Sequence, residues 1–287
     1  IYDPRGRSNF ISRLNQRFYQ YAASHEDFYL NDIDYLSADY GLTAWGDAFY
    51  WHMYKYAMCL DAIPSLANSV ANIIKAIYGK NKKALVLDLD NTLWGGVVGD
   101  DGVDGIAVGP EVPEGQVYAE FQSYCKALRS IGVILAVDSK NDEENALAGL
   151  NHPDGVLRPD DFVSIKANWE NKDRNLAAIA DELSLGVDSF VFADDNPAER
   201  AIVAAQLPGV AVPPLDGAEN YIKTLDHGGY FEVTALSGED LKKTELYHAN
   251  AQRRQAQASF ADYNDYLRSL EMTATIRGFE GIDIQRI

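Results

Sequence analysis

Residues 84–96 read Ala-Leu-Val-Leu-Asp-Leu-Asp-Asn-Thr-Leu-Trp-Gly-Gly, an apolar run that delivers Asp88 and then Asp90. Side chains alternate along extended chain, so these two carboxylates project to the same side at one strand end. Two more apolar runs finish in the same manner. Val133–Val137 leads into Asp138-Ser139-Lys140-Asn141, and Phe190–Ala193 leads into Asp194-Asp195-Asn196. In an open parallel sheet, ligands bind outside the carboxyl ends of the strands, so these groups meet at one edge. Carboxylates crowded in this way repel one another and raise one another's pKa unless a hard cation neutralises them. All-oxygen, octahedral coordination suits Mg²⁺, with Asp88, Asp90, Asp194 and Asp195 as the candidate ligands.

A carboxylate can attack phosphorus and form an aspartyl-phosphate, which divides one hard displacement into two easier ones while a second carboxyl moves protons. Asp88 fits the nucleophile and Asp90 the acid/base. The transferring phosphoryl group carries spread negative charge, which a metal, the Ser139 hydroxyl and the Lys172 ammonium would stabilise. Thr92, Lys140 and Asn141 complete the candidate phosphate-binding set. A single Asp after a strand usually caps a helix or solvates a loop. Three such motifs in order, each behind an apolar run, favour chemistry.

The elements that position these residues follow from Ala84 onward, where apolar runs, loops and amphipathic helices alternate. That order specifies an α/β fold with a doubly wound parallel sheet. Five strands are predicted: Ala84–Leu87, Val133–Val137, Phe162–Ile165, Phe190–Ala193 and Val210–Val212. Val117, Phe121, Tyr124 and Leu128 share one helical face, as do Leu176, Ile179, Ala180 and Leu183. Asn196-Pro197 reads as a helix opening, because the missing proline N–H is harmless in the first turn. Residues 81–225 form the expected catalytic core. Residues 1–80, with an alternating stretch from Phe28 to Leu36 and a helical run Ile63–Ile77, form a segment without an obvious complete fold. Residues 226–287 are predicted as a charged helical linker.

Composition narrows the partners. Asp plus Glu number 43 against 25 Lys plus Arg, a net charge of −18, which repels a phosphate backbone and argues against nucleic acid. The apolar runs are too short to span a bilayer and no leader opens the chain, so the expectation is a cytoplasmic protein without a membrane partner. Two cysteines, Cys59 and Cys125, make neither a disulfide framework nor a zinc cluster.

The residues Asp88-Leu-Asp-Asn-Thr-Leu-Trp-Gly-Gly, Ser139-Lys-Asn, Lys172 and Asp194-Asp195 resemble the four motifs of the haloacid dehalogenase superfamily. Leu93-Trp94-Gly95-Gly96, Asn168-Trp169-Glu170 and Phe192-Ala-Asp-Asp-Asn-Pro-Ala-Glu-Arg200 are similar to its FkbH-like branch. The resemblance implies a Rossmann-like core with Asp88 as nucleophile and Asp90 as acid/base, the Asp90 backbone carbonyl lying on the metal. It places Ser139 and Lys172 on phosphate, Asp194 on Mg²⁺, and Asp195 beside or on the metal. It further implies that residues 1–80 are the tail of an SGNH-hydrolase-like domain and that 226–287 lead toward an acyltransferase-like domain.

FkbH-like proteins are associated with loading a glyceryl unit from bisphosphoglycerate onto an acyl carrier protein, which makes a carrier protein a possible partner. Glyceryl-loading members often carry cysteine immediately before Ser-Lys-Asn, whereas this chain has Asp138 there, which argues against acyl transfer. The first expectation is therefore a magnesium-dependent phosphatase acting on a phosphorylated small molecule or a carrier-bound phosphate. The alternatives are a glyceryl transferase and a noncatalytic carrier-docking scaffold. The intervals after Thr92 and after Asn141 are too short for a capping domain, so the site is predicted capless and open, with Gly95-Gly96 and Gly99–Gly102 as a partial flap. Asp47 and His52 lack a serine nucleophile motif before them and are read as packing or solvated residues.

Overall fold

Four runs of residues form the sheet: β1 Ala84–Leu87, β2 Ile134–Ser139, β3 Ser164–Ala167 and β4 Phe190–Ala193. In this computed structural model, which describes residues 3, 5–234, 236, 238, 242, 245–247, 249–250, 264, 268–269 and 271–273, all strand pairs are parallel and the order is β3-β2-β1-β4. β1, β2 and β4 are buried along their whole length, as strands covered by helices on both faces must be. Leu87 pairs with Val137 on one side and with Ala193 on the other. The chain steps outward from β1 to β3 and then returns across β1 to β4. The switch point of the sheet therefore lies between β1 and β4, and Asp88 and Asp194 are the residues that leave those two strands.

The helices are α1 Arg7–Ala22, α2 Ile33–Tyr40, α3 Leu42–Trp45, α4 Ala48–Tyr54, α5 Ile63–Ile77, α6 Val98–Asp101, α7 Pro113–Ser130, α8 Glu143–Leu150, α9 Lys172–Leu183, α10 Pro197–Gln206 and α11 Tyr221–His227. Proline opens both α7 and α10, where it fixes φ and its absent N–H leaves no orphan donor. α9 buries Leu176, Ile179, Ala180 and Leu183 as its spacing predicts. α7 is rotated slightly from expectation. Gly115, Tyr118, Phe121, Gln122, Cys125 and Leu128 are its buried residues, with Val117 and Tyr124 at the margin. None of the described helices is long and apolar enough to cross a membrane.

Several expectations are corrected. The strand predicted at Val210–Val212 is reduced to one parallel bridge between Val191 and Ala211. Pro213 and Pro214 follow at once, and residues without an N–H cannot extend a ladder. β3 begins two residues late, because Pro159–Asp161 forms a 3₁₀ turn ahead of it. The alternating stretch 28–36, for which the sequence specifies no complete fold, runs into α2 at Ile33. Asp32 caps α2 by accepting from the Tyr35 N–H at 2.9 Å, so local capping outweighs the period-2 pattern.

The stretch after Asp90 is pinned rather than free. Gly95 and Ala107 exchange backbone hydrogen bonds of 3.0 and 2.8 Å, and Trp94, Val98, Ile106 and Val108 are buried in the main core. The start of the partial flap expected at 95–102 is therefore anchored to the core through Gly95 and Val98, while Gly99–Gly102 are exposed and line no part of the cavity at the strand ends.

The chain divides into two units, Ile1–Thr244 and Glu245–Ile287. Most of the second, and with it most of the linker expected at 226–287, lies outside the described residues. Residues 226–234 belong to the first unit, where Phe231 is buried in the core. In the N-terminal segment, the described buried residues are Ser37, Trp45, Ala62 and Asn72. α5 reaches α11 through the Asn68 side-chain amide, which donates to the His227 carbonyl at 3.1 Å.

Candidate active site

The site forms where β1, β2 and β4 end. Asp88 continues the β1–β4 ladder by donating its N–H to the Ala193 carbonyl at 2.9 Å, so the backbone places its carboxylate at the switch point. Lys172, the first residue of α9, is buried with its Nζ 3.0 Å from Asp88 Oδ1 and 2.5 Å from Asp194 Oδ2. Burial alone would lower the lysine pKa, but the two carboxylates outweigh it and push it up to about 12, so it remains charged. Asp194 is completely buried, and burial, reinforced by the Asp88 charge, pushes its carboxyl up to about 6. Its Oδ1 accepts from the Asn196 N–H at 2.7 Å, which ties the acid to the start of α10.

Asp195 completes a triad of acids. One oxygen from each of Asp88, Asp194 and Asp195 falls within 4.8 Å of the others. Burial also raises the Asp195 pKa. Arg200 braces this turn: its Nη1 donates to the carbonyls of Asp194, Asp195 and Leu215 at 2.8, 2.7 and 3.0 Å. Three convergent carboxylate oxygens, partly buried and balanced by one lysine, form a hard donor set of the kind that binds Mg²⁺.

Asp90 is turned differently. Its Oδ1 accepts from Trp94 Nε1 at 2.8 Å and from the Val98 N–H at 3.0 Å, while its Oδ2 accepts from Asn141 Nδ2 at 2.9 Å. Its carboxylate therefore stands outside the acid triad, although Asp90 lines the same cavity. Burial raises its pKa in spite of these hydrogen bonds. A carboxyl that holds its proton longer is suited to donate it.

The cavity measures about 180 Å³ and is lined by Asp88, Asp90, Asn91, Ser139, Lys140, Lys172, Asp195, Asn196 and Glu199. Ser139 reaches it because β2 runs two residues beyond the predicted Val137, with Ser139 opposite Ala167. Lys140 lines the wall but is paired with Glu199 at 2.6 Å. Asn141 spends its amide on Asp90. Thr92 is buried behind the cavity, its Oγ1 accepting from the Asp195 N–H at 3.2 Å. Of the expected phosphate ligands, Ser139, Lys140 and Lys172 are brought to the cavity, and Thr92 and Asn141 serve its walls.

Other contributors were not evident from sequence. Trp94 and Val98 hold Asp90, Glu199 pairs with Lys140, and Asn175 donates to Asp138 at 3.0 Å. Asn91 takes the left-handed conformation at φ +56°, tolerated by asparagine, and its Oδ1 accepts from the Gly96 N–H at 3.0 Å. That turn was signalled by Asn91 and the glycine pair, but the long-range bonds had no local signal. Away from the site, Asp47 caps α4 through the Phe49 and Tyr50 N–H groups and His52 is exposed, as its solvated reading requires. Cys59 and Cys125 are both free thiols.

The fold is that of a Rossmann-like phosphatase domain. A solved structure of the N-terminal part of the protein BF1531 from Bacteroides fragilis, described as containing a phosphatase domain and complexed with Mg, is 40% identical to this chain with a TM-score of 0.76. The likeness covers 78% of this chain and 60% of that one, so the chain spans less than two thirds of that solved chain. No protein-family model and no curated protein matches the chain.

Proposed function

We propose that this chain is a magnesium-dependent phosphomonoester hydrolase of the haloacid dehalogenase superfamily, of the FkbH-like branch, working through an aspartyl-phosphate on Asp88. The observation that carries the reading is the Lys172 ammonium held between Asp88 and Asp194, with Asp195 completing three convergent acids. The Mg²⁺ found with the 40%-identical phosphatase domain supports the same assignment.

Asp88, Asp194 and Asp195 would hold the ion, which supplies charge neutralisation for the phosphate oxygens and the acids. The Asp88 carboxylate forms the new bond to phosphorus as the ester P–O bond breaks, and Asp90 gives its proton to the departing oxygen. Water then attacks phosphorus, its proton passes to Asp90, and the Asp88 carboxylate is released. Two of the three Lys172 donors go to carboxylates, which leaves the third for a phosphate oxygen. Ser139 lies on the same wall to donate a second hydrogen bond.

Glyceryl transfer to a carrier protein receives less support. The position before Ser139 is a buried aspartate, Cys125 is fully buried with its thiol pKa raised by burial, and neither cysteine lines the cavity. The decisive measurement is phosphate release from a panel of small phosphates, phosphoglycerates included, in Mg²⁺ and in EDTA. Turnover that needs the metal and falls more than about 10³-fold in Asp88→Asn is expected. Metal-independent turnover, or turnover that survives in Asp88→Asn, would remove this mechanism.

A further inference from the structure

The cavity is small for a site that encloses its whole substrate. Small-molecule sites usually measure roughly 300–1,000 Å³, whereas this one holds about 180 Å³. The alcohol part of a larger phosphate ester therefore extends past the cavity, where the surrounding residues decide which esters are favoured.

At the same carboxyl edge of the sheet, outside the residues that line the cavity, Trp169 is 71% exposed in the loop between β3 and α9. Scattered surface aromatics need no explanation, but this one is fixed. Its Nε1 donates to Asp142 Oδ1 at 2.9 Å, so the ring is tethered to the loop that follows Ser139 and Lys140. Its neighbour Asn168 donates its N–H to the Ser139 carbonyl at 3.1 Å, and the Glu170 N–H donates to Asn168 Oδ1 at 3.0 Å. The Asn168 side chain is in turn bonded to Asn175 on α9. The indole thus sits on a preorganised loop, three residues before Lys172 and bonded to a residue two beyond Lys140, both of which line the cavity.

We infer that Trp169 is a substrate-binding platform, on which the alcohol portion of a phosphate ester stacks through a flat or aliphatic surface while the phosphoryl group enters the cavity. This rests on the phosphatase reading and deepens it by naming the ester class: phosphates whose first few atoms beyond the ester oxygen are apolar or planar, in preference to polyol phosphates. The Asp142 bond already restricts the ring, so stacking adds affinity at a reduced ordering cost. A shielding group over the mouth would also exclude water from an otherwise open site.

The test uses two non-hydrolysable probes, 1-naphthylmethylphosphonate and methylphosphonate, titrated calorimetrically in Mg²⁺ with intrinsic tryptophan fluorescence read in parallel. The wild-type chain is expected to bind the naphthyl probe about 5- to 10-fold more tightly, with quenching, as aromatic stacking predicts. Trp169→Ala should abolish both the preference and the quenching, and Trp169→Phe should retain most of the preference. Methylphosphonate, which has no surface to stack on the ring, should show no such fall. Equal affinity of the two probes for wild type, or a preference that survives Trp169→Ala, would overturn the platform while methylphosphonate binding upholds the phosphatase site. Failure of wild type to bind either probe with Mg²⁺ would overturn both readings.

Discussion

Asn175 Nδ2 donates to Asp138 Oδ1 at 3.0 Å, and this bond joins the strand that carries Ser139 to the helix that begins with Lys172. Asp138 is completely buried, and its other oxygen has no hydrogen-bond partner among the described residues. Removing the amide leaves the whole carboxyl without a partner, at a cost of about 1–3 kcal/mol for an unsatisfied buried group. Asn175→Ala should therefore lower unfolding stability by that amount in urea titrations. It should also lower kcat, because α9 loses the tether that sets the position of Lys172. A variant as stable as wild type would show that the bond carries no net energy.

The same aspartate predicts a pH dependence. Burial pushes Asp138 up to about 7, against roughly 3.9 in an unfolded chain. Between these values the folded state binds a proton that the unfolded state has lost, so stability from this group is complete below about pH 4 and declines toward pH 7. Asp194, raised to about 6, acts in the same direction, so the comparison must be with a variant. Asp138→Asn mimics the protonated acid and should remove a decline on the order of 3 kcal/mol over this range. Parallel stability curves for the two proteins would mean that Asp138 does not hold the proton.

Lys172 is the cation nearest two buried acids. Lys172→Met keeps the length of the side chain and leaves Asp88 and Asp194 uncompensated, which costs about 3–5 kcal/mol in a buried pair. In EDTA the variant should melt well below wild type. Added Mg²⁺ should raise its Tm by more than it raises that of wild type, since the ion then supplies the missing positive charge. Equal shifts in the two proteins would place the ion away from these acids. Turnover should fall about 10²- to 10³-fold with or without restored stability, as for loss of one preorganised donor.

The parts of this site visible in the sequence were those written locally. An aliphatic run buried on both faces is legible as a strand, and the Asp, Ser and Asp-Asp that end three such runs inherit a common edge from the parallel order. The failures have physical reasons. Val210–Val212 looks like a strand but is cut short by Pro213-Pro214, and 28–36 alternates like a strand but is captured by the Asp32 cap. The bonds that orient the carboxylates link Asp90 with Asn141, Asp138 with Asn175 and Arg200 with Leu215. Such pairings depend on tertiary placement, which no local pattern encodes.

The support of Asp90 can be tested from a distance through Gly149. A β-carbon at this buried position of α8 would lie 2.7 Å from Cη2 and 2.9 Å from Cζ2 of the Trp94 ring. Both groups are held by packing, so Gly149→Ala must displace the indole, at about 1–3 kcal/mol for an overpacked core site. Trp94 Nε1 is one of three donors to the Asp90 carboxylate. Weakening it removes stabilisation of the charged form and raises the Asp90 pKa further. If Asp90 must be protonated to release the alcohol, the descending basic limb of the kcat/KM profile should move to higher pH in Gly149→Ala, and in Trp94→Phe for the same reason. Gly99→Ala is the control, since its β-carbon would meet only Asn145 Nδ2, at an ordinary 3.7 Å. A basic limb that stays in place in both Gly149→Ala and Trp94→Phe would separate Asp90 from the proton transfer and assign that step to another group.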